Sequence, residues 1–413
     1  MQDMVSAALQ YLNSGGAPLP GTPLVQAPAP ARSISRAPIP APAVRNITGT
    51  SSLLQSEPSS DRTRVSLPVC SEFSNLQELP GKWVNHPDPD YMGEYEMTSD
   101  CPDWTQDYDC RKPDPRATVP ADFIKGQYRQ IFQPDACQLR PTDPDDLAAR
   151  MAGRRLIMLG DSLMRLHFFS LGCLLRSHVA SGRGVTWDRS DIKWKGDYTA
   201  KLDGREIQVV KQFVGEFRLT NGAQVYVRDF GVYNQTLFDD LLSDFAPLRS
   251  DDVLLLNWGA WYPRFAWGSS EVNWKMWQEH MRQLFMERLA VLPVQIIWKA
   301  HAAIHFGGAT GAEVGFENGL QGGPWRYQCY SALKGEFWYD EFVRDLLSGS
   351  CKAAGCYRVK ILPIFDMTLS RPNSHHGSMG RGVSDGKADC RHWCNNVVDH
   401  WSHLLYNLLC PPS

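Results

Sequence analysis

The chain lacks an excess of either charge: 42 Lys and Arg stand against 45 Asp and Glu, a net −3 over 413 residues. That balance excludes a nucleic-acid binder built on a broad basic surface, and equally an acidic solvating tail. No apolar run is long enough to span a bilayer, so no transmembrane helix is encoded in this stretch. The opening residues lack the basic start and apolar run of a signal peptide. Cys and Trp are missing before Cys70 and Trp83, although the chain holds 11 Cys and 14 Trp. No Cys-x2-Cys pair occurs among the first four Cys, which removes a common zinc spacing there.

What fills the early part is proline, eight of the 28 lying between Pro18 and Pro42. Residues 1–66, rich in Pro, Ala, Ser and Gly, cannot bury enough apolar surface to offset ordering entropy. They read as a disordered, partly polyproline stem. Asn46 (in Asn46-Ile47-Thr48) and Asn234 (in Asn234-Gln235-Thr236) are glycosylation sequons, meaningful only in a secretory setting.

Residues 67–140 carry Cys70, Cys101, Cys110 and Cys137 in a loop-rich context. They read as a small disulfide-rich module in an oxidising compartment, or else as four buried thiols. Eleven Cys is an odd number, so at least one is unpaired or bonds another chain.

Residues 141–413 alternate between strand and helix. Apolar runs occur at 156–159, 225–227, 253–256, 294–298 and 361–365, several of them continuous, as in strands buried on both faces. Helices are expected over about 273–290 and 335–349, the first with Trp274, Trp277, Met281, Leu284, Phe285 and Leu289 on one face. About five mostly parallel strands predict a doubly wound α/β sheet with ligands at the strands' carboxyl ends.

Three places carry chemistry. Ser162 follows the first buried strand in Gly160-Asp161-Ser162, at a helix start where free N–H groups suit an oxyanion; the alternative is a simple helix cap. Asp389 and His392 stand three apart, a spacing that joins them on one helical turn, so that the carboxylate orients the imidazole. Cys390 and Cys394 around them read as staples of the loop rather than zinc ligands, and no metal is expected. Asn257 ends the third run and is either an oxyanion donor or a turn residue. Trp258, Trp261, Tyr262 and Trp267 either pack the core or stack on sugar rings, and Trp261 is the best platform candidate.

The order of these blocks resembles the trichome-birefringence-like family of plant polysaccharide O-acetyltransferases, within the SGNH/GDSL hydrolase-like superfamily. The blocks are Cys70 with Gly81-Lys82-Trp83-Val84; Cys101-Pro102; the segment 133–139 around Cys137; Gly160-Asp161-Ser162-Leu163-x-Arg165; Asn257-x-Gly259-x-Trp261; Ala302 to Gly308 around His305; and Asp389-Cys390-x-His392-Trp393-Cys394. Departures occur at Leu166-His167, at Ala260, in 371–375 and after Cys394, and they touch acceptor identity. The resemblance implies an SGNH-like fold with Ser162 as nucleophile, His392 as base and acid, and Asp389 as its orienter. It implies an oxyanion site from Ser162, Asn257 and, after the second strand, Gly231. Arg165 either steers a substrate group or makes an ion pair, and His305 supports the catalytic residues from behind, lines the acceptor site, or simply packs a loop. The implied reaction moves acetyl from acetyl-CoA, or from a membrane carrier protein, onto a polysaccharide, with no bound cofactor. An acetylesterase or a non-catalytic polysaccharide binder are the alternatives. Family members carry an N-terminal anchor ahead of the stem, so a Golgi-lumenal setting is implied.

Overall fold

The computed structural model describes residues 67–70, 78–93, 101, 109–111, 119–180, 199–202, 205–208, 211–260, 262, 270–305, 329, 339–349, 358–380 and 389–411. The stem with Asn46, together with Trp261, Trp267, Cys351 and Cys356, lies outside them.

In chain order, β1 (Gly81–Asn85), α1 (Ala121–Tyr128), β2 (Gln130–Pro134) and α2 (Pro144–Met151) come first. β3 (Arg155–Gly160) leads into α3 (Ser162–Leu174). Then follow β4 (Thr199–Leu202), β5 (Arg205–Gln208), β6 (Lys211–Arg218), β7 (Gln224–Phe230), α4 (Gln235–Ser243), β8 (Val253–Asn257), α5 (Ser270–Gln283) and β9 (Gln295–Lys299). α6 (Tyr339–Ser348), β10 (Val359–Leu362), α7 (Phe365–Leu369) and α8 (Asn395–Leu409) complete the set.

The main sheet has six strands in the order β10-β9-β8-β3-β7-β6. The five expected strands are all present and mutually parallel. The sixth, β6, is an antiparallel edge on β7 that the apolar-run criterion passes over. Its segment alternates, with Phe213 and Phe217 buried between more polar neighbours, as a one-sided edge strand requires. β3 and β8 run through the middle and are apolar on both faces, so Leu156–Leu159 and Val253–Leu256 are nearly solvent-free.

Adjacent residues of β9 show how the two faces are covered. Lys299 reaches α3 and α8, while Trp298 packs on Phe285, in the π-helical turn that extends α5, at 5.3 Å between rings. The expected apolar face of the first long helix is real: Trp277, Met281, Leu284, Phe285 and Leu289 are buried, and Trp274 stacks on Trp277.

α8 has no polar face despite Asn395, Asp399, His400, His403 and Asn407, because it is covered on all sides. Towards α3, Ser170 donates to Asp399 at 2.9 Å and lies 2.7 Å from Ser402. On the other side the chain before residue 141 closes over it. Trp83 packs edge-on against His400, Tyr128 donates to Asn395, and Asn407 caps the Arg140 amide at 3.0 Å. A helix buried this way carries its polar residues inside the protein, where they bond to α3 and to the chain before residue 141.

Four disulfides form among the described residues: Cys70–Cys137, Cys101–Cys173, Cys110–Cys394 and Cys329–Cys390. Cys410 is a buried free thiol. Only Cys70–Cys137 closes within residues 67–140; Cys101 and Cys110 reach instead into α3 and the segment before α8. The bridges fit an oxidising compartment.

Candidate active site

β3 ends at Gly160, in register with Asn257 of β8 on one side and Asp229 of β7 on the other. A Cβ on Gly160 would lie 2.2 Å from the Asn257 carbonyl oxygen, so close strand approach is what demands glycine here. The chain then turns into α3. Asp161 is the N-cap, accepting from the Leu163 N–H at 3.0 Å, and Ser162 is the first helical residue. Its N–H is therefore among those without an intrahelical acceptor.

The cap is only half of what Asp161 does. Its second oxygen accepts from the N–H groups of Gly259 and Ala260, at 3.3 and 3.1 Å. The fully buried carboxylate thus ties the serine turn to the loop after β8. Burial raises its pKa, with the Lys299 charge and the three N–H donors opposing.

His392 arrives from the far end of the sequence. Ser162 Oγ lies 2.7 Å from His392 Nε2, and His392 Nδ1 lies 2.6 Å from Asp389 Oδ2. Ser162 is nearly buried, while Asp389 and His392 keep side chains 13% exposed. The line of contacts lets the imidazole take the serine proton while the carboxylate stabilises the imidazolium. Burial alone would raise the Asp389 pKa, but the charge and hydrogen bond of His392, with His376 nearby, hold it well below the usual carboxylate range.

Asp389 and His392 do meet, yet not on a helix. Asp389 Oδ1 accepts from the N–H groups of Arg391 and His392, both at 3.0 Å, closing a side-chain turn. The loop is then pinned from outside. Residues 374–379 run beside it, with the His376 N–H donating to the His392 carbonyl at 3.0 Å, the Gly377 N–H to Asp389 at 2.8 Å, and the Cys394 N–H to Ser374 at 3.0 Å. Cys390 and Cys394 staple it to Cys329 and Cys110, as expected of them.

The remaining expected site residues divide. Asn257 is a correction: both of its side-chain N–H groups face backbone carbonyls, of Lys299 at 3.0 Å and Ala300 at 3.3 Å. It joins the ends of β8 and β9 and offers no free donor to an oxyanion. For His305 the acceptor-site alternative is set aside and the supporting one holds. Fully buried, it lies 2.7 Å from His375 Nε2 and 3.0 Å from the Leu369 carbonyl, and His375 continues to the His392 carbonyl at 3.2 Å. It buttresses the histidine loop from behind rather than lining an acceptor site, and burial lowers its pKa to about 4.

Arg165 stands one turn after Ser162 and pairs with Asp229 at 3.5 Å, the ion-pair alternative. Neither Asp229 oxygen accepts a hydrogen bond from the protein, and burial pushes its pKa up to about 6 against the Arg165 charge. Gly231 lies buried in the bend directly after β7. Asn234 caps α4, accepting from the Leu237 N–H at 2.9 Å. Trp258 and Tyr262 are core: Trp258 packs on Phe230 and Tyr233 and donates to the Phe230 carbonyl, and Tyr262 hydroxyl bonds the Tyr233 amide.

Sequence reasoning passed over three residues that the geometry makes prominent: Asp161 as a double clamp, His375, and Lys299. For Lys299 a signal was available, since it is a lone cation closing a continuous apolar strand.

Residues 139–304 match the PC-esterase family, described as a GDSL/SGNH-like acyl-esterase family found in Pmr5 and Cas1p. Protein trichome birefringence-like 41 of Arabidopsis thaliana is 22% identical over 83% of this chain and 93% of its own length. Xyloglucan O-acetyltransferase 2 of the same plant is 23% identical over 83% of each chain. Probable xylan O-acetyltransferase 9 of Oryza sativa subsp. japonica is 21% identical over 69% of this chain and 68% of its own. The sheet, the Gly-Asp-Ser turn and these matches agree: residues 139–304 match a PC-esterase domain of the SGNH-like kind, and the distant homologues are trichome birefringence-like proteins and polysaccharide O-acetyltransferases.

Proposed function

We propose that this protein is a polysaccharide O-acetyltransferase working through an acetyl-serine. The observation that carries the reading is the unbroken contact line from Asp389 through His392 to Ser162, at 2.6 and 2.7 Å. Ser162 Oγ attacks the acetyl carbonyl while its proton passes to His392 Nε2. The bond from acetyl carbon to the donor's leaving atom breaks, and His392 returns the proton to that atom. A sugar hydroxyl then attacks the acetyl-serine and gives its proton to His392. The Oγ–carbon bond breaks, and Ser162 recovers a proton from His392.

The Ser162 N–H at the α3 start is the first oxyanion donor, with Gly231 as the second and Asn257 withdrawn from that role. Arg165, fixed by Asp229, is the substrate-facing cation of the site, and Trp261 a sugar platform. The donor is acetyl-CoA or an acetyl group handed over by a membrane carrier, and no bound cofactor is required. The setting is the Golgi lumen, with Asn46 and Asn234 as glycan sites. The disulfides support a secretory route.

The acyl-esterase description of the matching family favours one second reading, an acetylesterase in which water takes the sugar's place. Incubation with an acetyl donor and a panel of xylan, mannan, xyloglucan and pectin oligosaccharides separates the two. Acetyl on an oligosaccharide supports transfer, and free acetate supports hydrolysis. Survival of either activity in Ser162→Ala rejects both.

A further inference from the structure

We propose that Lys299 is a positioning residue for Ser162: its buried ammonium, on the Leu163 carbonyl, and the Asp161 carboxylate, on the Leu163 N–H, together clamp the turn that carries the nucleophile. The inference rests on the catalytic reading above and adds a residue to it. Lys299 ends β9 with no solvent exposure. Its Nζ donates to the Leu163 carbonyl at 2.9 Å and sits 4.4 Å from the centre of the Trp401 ring in α8. Ser162 is thereby enclosed. Asp161 before it accepts three backbone N–H groups, and Leu163 after it is held at its N–H by Asp161 and at its carbonyl by Lys299.

The clamp works only with an ionised Asp161. A protonated carboxyl would turn an O–H towards backbone donors and lose acceptor capacity that three N–H groups use. Burial drives Asp161 towards protonation, and Lys299 is the charge that most opposes it. Burial acts on Lys299 too, taking its pKa down to about 7 with Asp161 resisting. A buried charge seldom stabilises a fold better than apolar packing would. A lysine kept here therefore points to geometry, and the geometry it fixes is that of Ser162.

The other titratable groups around Lys299 are few. His167 on α3 is buried, its ring nitrogens without a protein hydrogen bond, and its pKa is lowered well below the ordinary value by burial and by Lys299. His301, just past β9, is lowered to about 3 by burial, Arg391 and Lys299. Asp229 on β7 couples to Asp161. Neither histidine carries charge near neutral pH, so the Asp161 response depends on Lys299.

The test is the pH profile of kcat/KM for p-nitrophenyl acetate in the full chain, for wild type, Lys299→Met and Lys299→Arg. Lys299→Met is expected to lose at least tenfold at acid pH, its acid limb moving up as Asp161 protonates more readily. The gap narrows above pH 7, where wild-type Lys299 gives up its own charge, and Lys299→Arg restores most of the low-pH activity. A Lys299→Met profile within threefold of wild type at every pH overturns the proposal. So does a uniform loss that Arg does not rescue, which is what plain packing damage would give. If Lys299→Met fails to fold, Lys299→Met in an Asp161→Asn background decides: the double variant should be no worse than Asp161→Asn alone, and any further loss in it rejects the coupling. Labelling by a fluorophosphonate probe separates the two readings. Absence of Ser162-dependent labelling in wild type sinks the catalytic assignment itself, whereas equal labelling rates in wild type and Lys299→Met sink only the role of Lys299.

Discussion

The two halves of the candidate site are built by different means. Ser162 stands where a central strand meets a helix, and everything that fixes it is ladder, cap and buried clamp: Gly160 in register with both neighbours, Asp161 as N-cap, Lys299 beneath. His392 stands in a loop outside any helix or strand. Its position comes from an Asp389 side-chain turn, a neighbouring segment with His375, and two disulfides to residues 61 and 284 positions away along the chain. The regular part of an α/β sheet locates one reacting group, and long-range cross-links locate the other. One half should thus respond to changes in the turn, and the other to changes in redox state and in distant segments.

The largest effect tests whether the halves are equally necessary. Ser162→Ala and His392→Ala should each lower acetyl release from an activated ester by about 10⁴-fold or more, and the double variant should be no worse. Steady-state rates on the three proteins check this. An additive double variant would mean that the two residues do not act as a unit.

A smaller effect separates the means of support. Removing Cys110–Cys394 with paired Ser substitutions should cost about 2–5 kcal/mol of stability and also lower kcat, because Cys394 borders the histidine loop. Removing Cys70–Cys137, which closes far from the loop in sequence, should cost a similar amount in denaturant melts and leave kcat of the folded fraction unchanged. Equal kcat losses from both pairs would erase the contrast.

On the serine side, the base of the sheet carries its own ionic tie. Asp252, just before β8, accepts from Arg155 Nε at 3.1 Å and Arg249 Nη2 at 2.9 Å. Burial works against the charge, yet the two guanidinium groups hold its pKa down to about 2. A lowered folded pKa contributes stability above the unfolded value near 3.9 and loses it as pH falls towards the folded value. Asp252→Asn should therefore cost about 2 kcal/mol at pH 7 and progressively less between about pH 4 and 2, as urea melts at several pH values will report.

The smallest effect is local. Asn234→Ala removes the α4 cap and should cost about 1 kcal/mol with no change in kcat.

The asymmetry also explains what the sequence made legible. β3, β8 and β9 were readable because burial on both faces leaves continuous apolar runs, and Ser162 was readable because it follows one of them. β6 alternates and so escapes a search for continuous apolar runs, while α8 carries its polar residues into the interior. Asp389 and His392 were readable as a pair from their spacing, but the helix supposed to join them was not there, since an acidic side chain can close the same turn by itself. Asn257 and His305 looked like functional polar residues and turned out to be structural ones. Each is committed to backbone carbonyls or to another ring, partners that only the folded chain brings near. Lys299 had a signal of its own, a lone cation closing an apolar strand, but the Leu163 carbonyl it binds is 136 residues earlier and only the fold brings it near.

The most direct measurement is peptide mass spectrometry of the full chain quenched during turnover of an acetyl donor. The account predicts an acetyl group on the peptide containing Ser162 in wild type, absent in Ser162→Ala and strongly reduced in His392→Ala. Acetyl transfer to an oligosaccharide with no acetyl on Ser162, undiminished in Ser162→Ala, would contradict it.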